Sequence, residues 1–280
     1  MKRQDFQREL RVSIAIAAFL LLFLSATPLL YADLFSYVER PEPKYAWELR
    51  ETIEHESGTV YDLHLVSQVW QEITWEHQLQ VYRPKGMKPA ETMLLMNTGG
   101  SAGKGDMGFG MELAVRVGAP VAVLYHIPNQ PLIGDRTEDA LISETFVRYL
   151  DTGDDNWPLL FPMVKSVVKA MDALQDFSDR EIKTPLKQFI ITGGSKRGWT
   201  TWLTGAVDPR VKAIAPLVID TLNMREQMTH QKESFGEYSE QINDYTERGL
   251  VPIPDTPRAE RLWRMVDPYT YRARLIMPKM

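Results

Sequence analysis

The run Lys187 to Trp202, KQFIITGGSKRGWTTW, takes a short apolar strand into Gly193-Gly194-Ser195-Lys196-Arg197-Gly198 and then into a helical pattern. A serine held on such a turn is a candidate nucleophile. Strained backbone there lifts its hydroxyl above the carboxyl ends of a parallel sheet, provided its neighbours are small enough for strand and helix to approach. Gly193 meets that need two residues before Ser195. Arg197 fills the second small position and the glycine comes one residue late, so the pattern is G-x-S-x-x-G in place of G-x-S-x-G. The same string also reads as a plain glycine-rich turn that packs a helix on a strand. It does not read as a phosphate cradle. Ser195 stands where the second glycine of G-x-G-x-x-G belongs, and no Lys-Ser or Lys-Thr pair follows.

If Ser195 attacks a carbonyl, the oxyanion that forms needs fixed donors, normally the N–H after the nucleophile and one from the loop after an early parallel strand. Lys196 and the Gly99-Gly100 region occupy those places in the sequence. The second glycine run, Gly99 to Gly105, also admits a plain turn or a nucleotide loop. The nucleotide reading is the poorest match: Thr98 stands where the first glycine of a P-loop belongs, and Gly105 where Ser or Thr would hold magnesium.

Activation of the serine calls for an acid and a histidine following it in chain order. Asp220 and His230 follow Ser195 in that order and form a formally possible triad, but a lone histidine in a polar segment is more often a surface group. His55, His64, His77 and His126 lack the i, i+4 spacing of a helical zinc site, so no metal is expected. His126 falls at the carboxyl edge of a predicted strand, where a structural hydrogen bond is the default and a substrate contact the alternative. Lys196 and Arg197 can draw an anionic substrate, or Arg197 can pair with Asp154 or Asp155 to hold the turn. Asp154-Asp155-Asn156 lacks the glycine and distal glutamate of a calcium loop and reads as a capping or loop element.

The elements around these residues alternate. Thr59 to Trp70 and Ile73 to Tyr82 read as two antiparallel strands, with Ile73, Trp75, Leu79 and Val81 on one buried face. Thr92 to Asn97 and Val121 to Tyr125 are short strands separated by a helical pattern through Met111, Ala114 and Val115. Leu160 to Phe177 is a helix burying Val164, Val167, Val168, Met171 and Leu174, with Lys165, Lys169 and Asp172 turned away. Val211 to Ile219 is a further strand, and Thr221 to about Tyr271 reads as a cap over the site. This order predicts an α/β fold with a mostly parallel sheet and helices on both faces.

At 280 residues and 44% hydrophobic content the chain can bury one large core, and nothing in its composition divides it into two domains. Most of the seven tryptophans, Trp157, Trp199 and Trp263 among them, are expected in core or lid packing. Residues 1–32 read as a secretory signal: Lys2, Arg3, Arg8 and Arg11, then the thirteen-residue apolar run Val12 to Leu24, then Leu30-Tyr31-Ala32 before Asp33. An uncleaved anchor over residues 12–31 is the alternative, although that apolar run is short against the about 20 residues of a span. Loss of the segment moves the formal net charge from −5 to −7, a sign that does not favour nucleic acid. With no cysteine, disulfides, thiolate metal sites and cysteine catalysis are excluded. No cofactor is expected.

Beyond the turn, the strings TGDDNWPLLFPMVKSVVKAMDAL (Thr152 to Leu174), DPRVKAIAPLVIDTLNM (Asp208 to Met224) and DPYTYRARLIMPK (Asp267 to Lys279), with the opening Tyr37 to Tyr45, resemble the PhoPQ-activated pathogenicity-related proteins. The resemblance spans roughly Asp33 to Met280. It implies an exported bacterial protein, periplasmic or secreted, with an α/β-hydrolase-like sheet and a cap insertion over residues 221–271. It also implies that residues 33–280 are an incomplete domain, missing the C-terminal strands that carry the usual acid and histidine. Two functions follow from it. One is a virulence-related serine hydrolase acting on a small-molecule or peptide ester or amide through Ser195. The other is a non-catalytic exported binding or envelope-defence protein on the same scaffold.

Overall fold

The computed structural model describes residues 33–103 and 106–280; the expected signal at 1–32 and the Lys104-Gly105 end of the second glycine run lie outside the described residues. Asp33 caps helix α1 (Leu34–Glu39) through a reciprocal box: Ser36 N–H donates to Asp33 Oδ1 and Asp33 N–H to Ser36 Oγ. Three long strands follow, β1 (Ala46–His55), β2 (Gly58–Trp70) and β3 (Ile73–Pro84). They pair antiparallel in sequence order, and the β2–β3 turn places both Gln71 and Glu72 at positive φ, as a two-residue hairpin of right-handed twist requires.

The other half of the sheet is parallel and carries the site. It comprises β4 (Thr92–Asn97), β5 (Val121–Leu124), β6 (Gln188–Gly194) and β7 (Val211–Leu217). Among the described residues the seven strands form one sheet ordered β1-β2-β3-β5-β4-β6-β7. β5 joins the halves, antiparallel to β3 and parallel to β4. At the far side Ile214 N–H donates to Pro278 O and Met280 N–H to Ile214 O, which lays the last residues along the outer side of β7.

Helices cover both faces. α2 (Asp106–Val117) follows β4, α3 (Glu138–Thr152) and α4 (Leu160–Phe177) lie between β5 and β6, and α5 (Lys196–Val207) follows β6. The period-2 alternation of strands sorts side chains between two clusters. Leu79, Val81, Ala122 and Leu124 join the larger core with α4, while Tyr82, Val121 and Val123 pack with Met111 and Ala114 of α2. No helix among the described residues is long and apolar enough to cross a membrane.

α4 has the bounds and the apolar face expected of it, but Lys165 does not point to water. It is 3% exposed because the segment after α1 lies across it. Lys165 Nζ donates to Arg40 O at 3.0 Å, stands 3.6 Å from Glu42 Oε2 and lies 5.4 Å from the centre of the Tyr37 ring. Burial lowers the ammonium pKa, and the Glu42 charge works against that.

Beside it runs a buried polar chain. Tyr37 Oη donates to Gln68 Oε1, Gln68 Nε2 donates to Ser166 Oγ, Ser166 and Ser67 hydroxyls meet at 2.9 Å, and Ser67 Oγ lies 2.9 Å from His77 Nε2. Burial pushes His77 down to about 3, so the ring is neutral. Its Nδ1–H therefore faces the carbonyls of Tyr125 and His126, and Nε2 accepts from Ser67. The alternation Ile73, Trp75, His77, Leu79, Val81 already places this histidine on the core face.

Candidate active site

Ser195 sits between β6 and α5 with φ 53° and ψ −123°, a conformation that a residue with a Cβ holds only when its surroundings enforce it. Several contacts do so. Ser195 N–H donates to Leu217 O at the end of β7, and Ser195 O accepts from Gly198 and Trp199 N–H. Two glycines permit the crossing. A Cβ on Gly193 would lie 2.6 Å from Asn97 Nδ2 and 2.8 Å from Arg197 O, and one on Gly198 would lie 2.4 Å from Ile219 Cγ2. The late glycine of G-x-S-x-x-G thus supplies the close approach, and Arg197 has a place of its own.

The two cations after the serine are met by two consecutive acids at the start of α3. Lys196 Nζ donates to Asp139 Oδ2 at 2.6 Å and lies 3.3 Å from Glu138 Oε2. Arg197 forms a two-pronged pair with Glu138, both bonds 2.6 Å, rather than with Asp154 or Asp155. Asp155 instead pairs with Arg261, and Asp154 accepts from the backbone and side chain of Asn156 within its own loop. Burial raises the Glu138 pKa, but the hydrogen bonds of Arg197 and Gln130 and the charges of Arg197 and Lys196 outweigh it and hold the carboxyl at about 2. Tyr245 Oη donates to the other oxygen of Asp139, and burial beside that carboxylate raises the phenol well above its ordinary value. No spacing in the chain signals Glu138, Asp139 or Tyr245, because the two acids lie more than fifty residues before the turn and Tyr245 reaches it only through Asp139.

Of the oxyanion candidates, Lys196 carries the first N–H of α5, which has no acceptor within the helix. Gly99 and Gly100 lie on the loop after β4, tied to the loop after β5 by Ile127 N–H to Thr98 O and His126 N–H to Gly100 O. Neither glycine lines the cavity that holds Ser195. That cavity measures about 450 Å³ and is walled by Trp199, Met224, Met228, Ile242, Val251 and Trp263, with Lys196, Asp139 and Tyr245 as its charged and polar side. Ser195 Oγ makes no hydrogen bond among the described residues and opens into this space. Two further polar atoms of the lining, Thr221 Oγ1 and Trp263 Nε1, are buried without a partner.

The cavity wall comes largely from the segment after β7: α6 (Met224–Phe235), the short α7 (Asn243–Thr246) and α8 (Pro257–Val266). Asp267 ties it down, accepting from the N–H groups of Asn223, Met224 and Tyr269. Trp263 stacks on Trp199, with ring centres 6.5 Å apart and planes 11° from parallel.

Asp220 and His230 are not brought together. Asp220 is exposed at the cavity rim and accepts from Leu222 N–H and Gln227 Nε2. His230 is exposed on α6, and its ring meets Ser234 at 3.5 Å. No histidine among the described residues lines the Ser195 cavity. His126 has φ 59°, and its ring, whose pKa burial lowers, lines a separate polar cleft with His64, His77 and Glu76. No cluster of His, Asp or Glu fit to hold a metal is found among the described residues.

Comparison with known proteins gives three findings. A family model described as PhoPQ-activated pathogenicity-related protein matches residues 34–280. The autocrine proliferation repressor protein A of Dictyostelium discoideum is 39% identical over 89% of this chain and 54% of its own length, so the chain spans about half of the curated relative it matches. The solved acetyl xylan esterase from Paenibacillus sp. R4 superposes with a TM-score of 0.57 at 12% identity, covering 88% of this chain and 75% of that one.

Proposed function

The chain belongs to the PhoPQ-activated pathogenicity-related protein family, and we propose that it is a serine hydrolase that cleaves an ester or amide by acyl transfer through Ser195. Its α/β-hydrolase-like fold supplies the scaffold. The observation that carries the reading is the conformation of Ser195: φ 53° on a strand-to-helix turn, with an unbonded hydroxyl at a cavity of about 450 Å³. That strain is stored where a nucleophile is displayed. Ser195 Oγ attacks the substrate carbonyl, and the developing oxyanion meets the N–H of Lys196. The tetrahedral intermediate collapses with cleavage of the scissile bond, the alcohol or amine leaves with the proton that Ser195 gave up, and water hydrolyses the remaining acyl-enzyme to the acid and free Ser195. The apolar wall of tryptophan and methionine receives the acyl or alkyl part of the substrate. The similarity to an acetyl xylan esterase makes acetyl esters the first substrates to try. Export through residues 1–32 belongs to the same proposal, and N-terminal sequencing of protein recovered outside the cytoplasm tests it.

One observation favours a second reading. No histidine of the described residues reaches the cavity, so the groups lining it do not include the usual base for Ser195. An exported binding protein would use the same cavity without chemistry. A fluorophosphonate probe separates the two. Covalent labelling mapped to Ser195 and lost in a folded Ser195→Ala variant supports the hydrolase. Absence of labelling, with a ligand-induced rise in thermal stability, supports the binding protein.

A further inference from the structure

A small residue normally stands two places after an elbow nucleophile, because helix and strand pass closely there. Arg197 holds that place and is 8% exposed. Its side chain runs across Gly99, where a Cβ would lie 1.7 Å from Arg197 Nη2, so only glycine leaves room for it. Beyond Gly99, Arg197 Nε donates to Ile127 O at 2.5 Å and the guanidinium closes on Glu138 with two bonds of 2.6 Å. Glu138 is fixed in turn by Gln130, whose amide donates to Glu138 Oε1 and accepts from Glu138 N–H.

The loop that receives this side chain is strained. His126, Ile133, Asp135 and Glu138 all have positive φ between 50° and 60°. Non-glycine residues keep such conformations only where other contacts over-determine them. The same loop bonds the Thr98-Gly99-Gly100 turn through Ile127 N–H and His126 N–H. A single side chain, two residues from the candidate nucleophile, thus ties the elbow to both loops that border it.

We infer that Arg197 is a positioning residue of the Ser195 site, holding the Gly99-Gly100 loop and the loop 126–138 against the elbow through Glu138 and Ile127. The inference rests on the hydrolase reading of Ser195. A planar fork sets both the distance and the plane of the carboxylate it binds, which an ammonium cannot do. The role therefore belongs to arginine and not to positive charge alone.

The test compares Arg197→Lys, Glu138→Gln, Arg197→Gly and the double variant Arg197→Gly/Glu138→Gln with the full wild-type chain. It uses the rate of fluorophosphonate labelling at Ser195 and the kcat and KM for p-nitrophenyl acetate, each normalised to folded protein by near-UV circular dichroism. A displaced loop costs kcat by about 10²-fold while KM stays within about twofold. The expected result is this loss in Arg197→Lys, and a double variant no slower than Arg197→Gly alone, since the two residues act as one unit. Wild-type kcat in Arg197→Lys, or a fall that merely tracks the folded fraction, overturns the inference while leaving the hydrolase reading in place. An unreactive Ser195 in the wild type overturns both.

Discussion

Gly198 and Ile219 are in mutual contact at the crossing of α5 over β7. A Cβ on Gly198 would stand 2.4 Å from Ile219 Cγ2, with Gly193 O at 3.0 Å and Leu217 O at 3.1 Å behind it. Two backbone oxygens leave that atom no side to move to. Gly198→Ala should therefore cost about 1–3 kcal/mol of stability through overpacking, read as a lower urea midpoint. Gly108, in α2, has open space where its Cβ would be, and Gly108→Ala should be neutral or stabilising by up to about 1 kcal/mol.

The neutral His77 makes stability depend on acid. Its folded pKa, about 3, lies below its ordinary value of 6.5, so the unfolded chain binds a proton that the folded one refuses. The contribution is complete above pH 6.5 and is lost as pH falls toward 3, at up to about 1.4 kcal/mol per pH unit. Urea midpoints followed across that window should fall more steeply for the wild type than for His77→Gln. Equal slopes would show that the ring takes up its proton as readily in the folded chain as in the unfolded one.

Lys165 is a buried cation whose nearest carboxylate is Glu42, with side chains 4% and 10% exposed. Lys165→Met leaves that carboxylate without its partner and should destabilise by about 3–5 kcal/mol. Lys165→Met/Glu42→Leu removes both charges and should recover most of the loss. The comparison of urea midpoints separates a lock between α4 and the N-terminal segment from simple packing of the lysine stem.

Met224 and Met228 are 8% and 9% exposed and line the Ser195 cavity. Met228→Ala should enlarge the space for the acyl group and raise the butyryl-to-acetyl ratio of kcat/KM by about tenfold. A ratio that does not move would place the acyl group elsewhere.

The local signals of the chain were legible where one period or one turn carries them. The alternation in β2 and β3, the 3.6-residue stripe of α4 and the glycine-flanked serine are all one-dimensional patterns. β1 was not legible. Its burial alternates weakly and Glu48, Arg50, Glu51 and Glu54 interrupt its apolar residues, as suits the edge strand it is. Lys165 shares its helix face with Lys169 and Asp172, and only the segment carrying Arg40 and Glu42, more than a hundred residues earlier, puts it in the interior.

The sequence by itself determined the α/β order of elements, the turn that displays Ser195 and the absence of cysteine chemistry, since each depends on neighbours within a few residues. Tertiary structure alone decided that Arg197 binds Glu138, that Lys196 binds Asp139, and that Asp220 and His230 stay apart. These are choices among many charged residues of compatible type. Parallel crossovers, and not sequence distance, settle which of them meet at the carboxyl ends of β4, β5 and β6.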